Sequence, residues 1–390
     1  MRITLALGLS LIACAALAGP RVKGEAKTET PEVIQAKSSA QDSYRWRLNE
    51  NVVTIMAGRP DSTELGIAAD IAAVLDDGDN LRILPMVGKG AAQSVKDVMF
   101  LRGVDMGLTQ ANVLRHFAKT GELGSNFVSQ ITYVAKLFNQ EIHILARPDL
   151  TDLKQLDGQA VNFGEEGSGT DITAQLIFEA FGIKVRQVHL PAADALLKVK
   201  SGEIAAAIVL GAKPSPALAT LKDAGGLKLL PIPYAKALED DYYPATLTHA
   251  DYPDLIAEGQ SVDTVAVCTV LVAFNWPSDS VRYQKIAKFV EAFFSKFDQL
   301  QRPPRQPKWR EVNFAATLEG WHRSPLAQAF IDHAKETGQT AARANTEVAA
   351  RGTFDAFLAQ TAQANAAPTT DAERANLFKA FLEWSKARGN

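Results

Sequence analysis

The chain has 390 residues, with 41 basic against 44 acidic side chains and a net charge of −3; 47% of its residues are hydrophobic and 22% charged. At about 100–200 residues per domain this fits two or three domains, or one large one, and the apolar content excludes a mainly disordered chain. No long basic run marks a nucleic-acid footprint. Two cysteines, Cys14 and Cys268, exclude a disulfide-stapled scaffold or a four-cysteine zinc site, and the six histidines form no HxxxH or HxH pair. Metal catalysis is unsupported and no cofactor is implied, with calcium binding by scattered carboxylates left open.

Met1 and Arg2 precede a small-residue and apolar run over 3–18 that ends in Ala16-Leu17-Ala18. This pattern predicts a cleaved signal peptide over 1–18 and hence a periplasmic protein. Leu11-Ile12-Ala13-Cys14 resembles a bacterial lipobox, but cleavage after Ala18 is favoured over lipidation of Cys14. Residues 19–46 are polar and read as a flexible leader. No later run reaches the roughly 18 apolar residues of a membrane helix.

From there strands and helices alternate. Residues 52–57 read as a strand. Asp61 and Glu64 are spaced like a capping box for a helix running to residue 75. Strands follow over 81–87 and 104–108, separated by a helix over 91–101. Residues 132–136, 142–146 and 159–163 read as three strands, and 171–181 as a helix closed by Gly182. The alternation continues with strands over 184–190, 204–210 and 227–232 and a helix over 192–200. A long β-rich run spans 265–275, where Cys268 reads as a buried, inert thiol. Helices dominate from 280 onward, interrupted by an exposed Pro-rich loop over 301–307 and a linker over 361–370. An amphipathic helix over 372–386 closes the chain. Two βαβ arrays of this kind predict two doubly wound α/β lobes with a helical tail. The runs over 142–146 and 265–274 are the candidates for crossings between lobes.

Gly164 through Thr170, with Gly167, Ser168, Gly169 and Thr170 at its end, follows a strand and opens a helix. Backbone N–H groups at such an end attract an anion, and Ser168 and Thr170 add hydroxyls. The alternative is a tight turn with Thr170 as N-cap. The loop fits neither a P-loop nor a nucleophile elbow, and GxGxxG is missing. Gly88-Lys89-Gly90 and the loop holding Arg59 also follow strands, where open α/β sheets bind ligands. Arg59 or Lys89 is placed to meet a carboxylate, and Gln110 to supply an amide contact. Carboxylates are scattered without an acid/base pair, and His143, His189 and His249 are isolated. An enzyme is therefore not expected.

The order of these motifs resembles the TAXI-type solute-binding proteins of TRAP transporters over about residues 50–330. The residues that carry the resemblance are Asn162-Phe163-Gly164, Gly167-Ser168-Gly169-Thr170, Gly202-Glu203-Ile204, Lys213-Pro214-Ser215-Pro216, Tyr252-Pro253 and Asp105-Met106-Gly107. Such a protein is expected to be a monomer of the periplasmic binding protein type, whose two lobes are joined by hinge strands. Lobe 1 would comprise 47–140 plus 266–330, lobe 2 141–265, and a helical extension 331–390. It would capture a small anionic solute, such as glutamate or a dicarboxylate, and hand it to a membrane permease. The implied ligand set is Arg59, Gly88, Lys89, Gly90, Gln110, Gly167, Ser168, Gly169, Thr170 and Lys213. The sequence departs from the family where Asp61-Ser62-Thr63-Glu64 replaces a Tyr-bearing loop. An ABC-type binder of sulfonates or thiamine precursors, or a ligand-sensing receptor for an envelope signalling protein, would share the architecture.

Overall fold

The computed structural model describes residues 31–219, 221 and 225–336. The expected signal peptide with Cys14, and the helix expected over 372–386, lie outside the described residues. The chain divides into two units, residues up to Trp46 and residues from Arg47 onward. Where the sequence suggested a leader without structure, the chain forms helix α1 (Pro31–Glu50). Pro31 suits a first helical turn, and the segment is rich in Ala, Gln, Lys, Arg and Glu, which favour helix even where little is apolar.

In the second unit the elements follow in order: β1 (Val52–Met56), α2 (Thr63–Leu75), β2 (Arg82–Met86), α3 (Ala91–Phe100), β3 (Met106–Gln110), α4 (Ala111–Thr120), α5 (Phe127–Gln130) and β4 (Ile131–Ala146). Next come β5 (Ala160–Asn162), α6 (Gly169–Ala180), β6 (Arg186–Val188), α7 (Ala192–Lys200), β7 (Ala206–Gly211), α8 (Pro216–Ala219), β8 (Lys228–Leu229), β9 (Tyr243–Thr248) and β10 (Ser261–Phe274). Helices α9 (Val281–Ser295), α10 (Phe297–Leu300) and α11 (Pro325–Glu336) complete the described chain. A 3₁₀ turn, Pro307–Glu311, lies between the last two.

The two strands expected over 132–136 and 142–146 are one strand, β4. The intervening residues 137–141 stay extended because both faces are covered, with Leu137, Phe138, Gln140 and Glu141 all buried. Strands β4 and β10 lie side by side in the middle of the sheet, between the two parallel arrays. In lobe 1, β2, β1 and β3 are parallel and β10 adds antiparallel to β3 over Thr269–Ala273. In lobe 2, β6, β5 and β7 are parallel, and β4 pairs antiparallel with β7 from Glu141 to Ala146. Earlier in β10, Ser261–Ala266 pairs with β9, a strand the sequence reading missed. The β4–β10 register shifts between Cys268 and Val270, where the two strands change partners.

Each lobe buries apolar side chains on both sheet faces. One lobe 1 cluster joins Ile55, Ile67, Phe138, Phe289, Phe293 and Trp309. The other joins Val95, Phe117, Tyr133 and Cys268. Lobe 2 is built the same way around Ile144, Phe163 and Phe178 on one face and Leu145, Val199 and Tyr252 on the other. This two-lobed α/β architecture presents the C-terminal ends of both parallel arrays to one cleft.

Candidate functional site

The cleft is lined from lobe 1 by Arg59, Asp61, Thr63, Glu64, Lys89, Gly90 and Gln110, and from lobe 2 by Asn162, Gly164, Glu165, Ser168, Gly169, Thr170 and Ser215, among others. Some 670 Å³ of unfilled space lies between them, part of it open to solvent. Of the residues expected from sequence, Arg59, Lys89, Gly90, Gln110, Ser168, Gly169 and Thr170 come together here, whereas Gly88, Gly167 and Lys213 do not line it. Lys213 is held elsewhere: its Nζ donates to the Thr246 carbonyl at 2.6 Å and lies 3.4 Å from Asp251.

The turn before α2 differs from the capping box expected of Asp61 and Glu64. Ser62 is the N-cap and accepts from Leu65 N at 3.2 Å, one residue later than that register. Asp61 is thereby released to form a bidentate pair with Arg59, at 3.0 and 2.8 Å. The same guanidinium reaches across the cleft to Glu165 at 2.8 Å. Asp61 first, and Glu165 in addition, raise the Arg59 pKa above its ordinary value.

The shifted register also turns Glu64 inward. Its Oε1 accepts from Gln110 Nε2 at 2.6 Å and from Gln140 Nε2 at 3.1 Å. Gln140 Nε2 also donates to Thr269 Oγ1 at 2.8 Å, so the cluster is tied to both crossing strands. Sequence reasoning missed Glu64 as a cleft residue. The displaced cap, with Ser62 competing against Asp61, was the signal that could have found it.

The 164–170 loop forms as expected, but its cap is Ser168 and not Thr170. Ser168 Oγ accepts from Asp171 N at 3.1 Å. The Asp171 carboxylate accepts from Gly167 N at 2.8 Å and from Gln175 at 2.7 Å. An acidic side chain of the protein itself thus sits at the helix end where an anionic ligand was expected. Close approach of the lobes requires glycine at two points. A Cβ on Gly169 would lie 2.2 Å from Gln110 Oε1 and 3.1 Å from the Ala91 Cβ. Gly90 has φ of +124°, a conformation other residues avoid, and lies against Ser168 and Gly169.

Polar contacts between lobes surround the cleft. Ala212 N donates to Thr63 Oγ1 at 3.0 Å, and Asn112 Nδ2 donates to Thr173 Oγ1 at 2.8 Å and to Tyr242 OH at 3.0 Å. Arg115 pairs with Asp241 at 2.7 Å. Beneath the lobe 2 wall, Ser215 N donates to Tyr252 OH at 2.7 Å, and Tyr252 OH meets His143 Nε2 at 2.7 Å. His143 Nδ1 lies 3.1 Å from the Val209 carbonyl. Burial lowers the His143 pKa to about 4, so the ring is neutral and holds two cleft-lining segments in place.

Both sets of strand ends and helix N-termini of this two-lobed α/β fold open on one cleft. The chain matches the model of the NMT1-like family over residues 64–338 and belongs to that family. Among solved structures it is similar to one described as a periplasmic transporter, at 15% identity over 73% of this chain and 93% of that one, with a TM-score of 0.43. It is also similar to the periplasmic binding protein BugD, at 14% identity over 74% and 98% of the two chains and a TM-score of 0.43. A third similar structure is the periplasmic aliphatic sulphonate binding protein SsuA from Escherichia coli, at 17% identity over 73% and 79%, with a TM-score of 0.37. Among the described residues no helix is long and apolar enough to cross a membrane.

Proposed function

We propose that this chain is a periplasmic receptor without catalytic activity of its own, which captures a small polar solute between its lobes and presents it to a membrane permease. The TAXI resemblance makes a TRAP-type permease the favoured partner. The observation that carries the reading is the cleft itself. Polar loops from two α/β lobes converge on it, and among the described residues two long strands, β4 and β10, lie in the sheet between them. Such a layout opens and closes by bending at a few crossing residues, and a solute bound to both walls shifts the population toward the closed form. The receptor reading holds for a solute of either charge.

The test is the melting temperature of the purified protein across a panel of small carboxylates, amino acids, sulfonates and amines. A solute that binds only the folded state stabilises it by about 2.7 kcal/mol at a hundredfold excess over its Kd. A rise of several degrees with one chemical class is expected. A flat response across the panel would contradict the reading.

A further inference from the structure

We infer that the solute presents a protonated amine or amidine nitrogen to Glu64, and that it is not the carboxylate-bearing anion expected from sequence. The inference rests on the receptor reading above and names the chemistry of the same cleft.

Glu64 is only 7% exposed, yet it lines the cleft. Among the described residues no lysine, arginine or histidine pairs with it; Arg59, the guanidinium of the same loop, is taken by Asp61 and Glu165. Two amides donate to its Oε1. Its Oε2 lies on the side of Gly58, where an added Cβ would come within 3.3 Å of it. A buried carboxylate normally meets a cation or a fuller set of donors.

A second, independent feature points to the same ligand chemistry. A carboxylate oxygen only accepts, so Gln110 and Gln140 must turn their NH₂ groups toward Glu64 and their carbonyls away. Both carbonyl oxygens are buried with no hydrogen-bond partner. Gln110 is wholly buried, and its Oε1 is aimed across the cleft at Gly169. Buried acceptors of this kind are normally satisfied. Glu64 Oε2 and Gln110 Oε1 are therefore two acceptors on the lobe 1 wall, and a carboxylate in such a place calls for an N–H donor, best a charged one.

The charges around them agree. Three acidic side chains, Asp61, Glu64 and Glu165, line the cleft against two basic ones, Arg59 and Lys89. A carboxylate ligand would face like charge at Glu64, while a protonated nitrogen would be drawn to it.

The test is calorimetric titration of the purified protein and its Glu64→Gln variant with 1,4-diaminobutane and acetamidinium as cationic probes and glutarate as the anionic one. The substitution keeps the shape of the side chain and an oxygen for Gln110, and melting curves verify that the variant is folded. The expected result is that a cationic probe binds the wild type, glutarate does not, and Glu64→Gln weakens the cation at least tenfold. Should the variant fail to fold, the wild-type preference between cation and glutarate decides alone. Binding of glutarate to the wild type, unchanged or tighter in Glu64→Gln, would overturn the inference and leave the receptor reading standing. Failure of the wild type to bind a probe of either charge, together with a flat melting panel, would remove both.

Discussion

Among the ion pairs that join distant parts of this chain, two differ chiefly in burial. Lys308–Glu141 lies at 2.6 Å with both side chains 5% exposed, and ties the 3₁₀ turn Pro307–Glu311 to the crossing strand β4. Arg59–Glu165 lies at 2.8 Å with side chains 22% and 34% exposed, and bridges the cleft. The first is sealed between packed elements. The second joins the two walls of the cleft and is partly open to water, so breaking it costs little. The same chemistry is thus a buried tie in one place and a partly solvated one in the other. Burial alone would push Lys308 toward the neutral amine, but Glu141 and Glu311 outweigh it and hold its pKa above the ordinary lysine value.

The largest expected effect comes from breaking the sealed pair. Lys308→Met leaves Glu141 buried without its cation and should cost about 3–5 kcal/mol in urea unfolding at neutral pH. A loss under about 1 kcal/mol would place the pair in the same class as its exposed counterpart.

Acid titration is the next most severe perturbation. With its pKa lowered from 6.5 to about 4, His143 contributes stability that is complete above pH 6.5 and lost as pH falls through 4. The contribution is about 3 kcal/mol, since each tenfold change in proton affinity is worth about 1.4 kcal/mol. Stability measured from pH 7 to pH 4 should fall more steeply for the wild type than for His143→Gln. Parallel slopes would mean that the ring is not held neutral.

Gly169→Ala addresses the cleft directly. Its methyl would collide with Gln110 Oε1 and crowd Ala91, so it opposes the close approach of the walls. Solute affinity should fall at least tenfold, about 1.4 kcal/mol, with the melting temperature of the solute-free protein nearly unchanged. An equal loss in both would make Gly169 a folding residue.

The smallest effect is expected from Arg59→Ala. A partly exposed pair contributes about 0–1 kcal/mol, so unfolding should barely change. The lobes should nevertheless separate more readily, seen as a larger radius of gyration in the solute-free protein by small-angle X-ray scattering. A variant as compact as the wild type would show that the cross-cleft pair does not hold the walls together.

Alternating apolar runs and glycine stops made the βαβ arrays legible in the sequence, because those signals are local. The continuity of β4 was not, since residues 137–141 mix Leu and Phe with Asn, Gln and Glu. Only the neighbouring strands and the 3₁₀ turn, which supplies Lys308 to Glu141, make that stretch buried strand. Strand β9 was missed because Tyr243–Thr248 is half-buried and starts with Tyr-Pro. In the cleft, the loops at strand ends were readable by position, and they brought Arg59, Lys89, Gly90 and the 168–170 segment together. The partners that decide their chemistry were not readable. Glu64 reaches Gln110 and Gln140 across 46 and 76 residues of chain, and Arg59 reaches Glu165 from the other lobe. An anion-friendly helix end looks the same in sequence whether its charge comes from a ligand or, as at Asp171, from the protein.

The central claim is that the cleft closes on a solute. Its most direct test is the distance between the lobes, measured by pulsed electron resonance with spin labels at Phe100→Cys on α3 and Leu197→Cys on α7. Both positions are 66% exposed, whereas Cys268 is buried at 1%. The account predicts a broad distribution in the free protein that narrows and shifts to shorter distance with one class from the panel of carboxylates, amino acids, sulfonates and amines. A single distance, unchanged by every member of that panel, would contradict it.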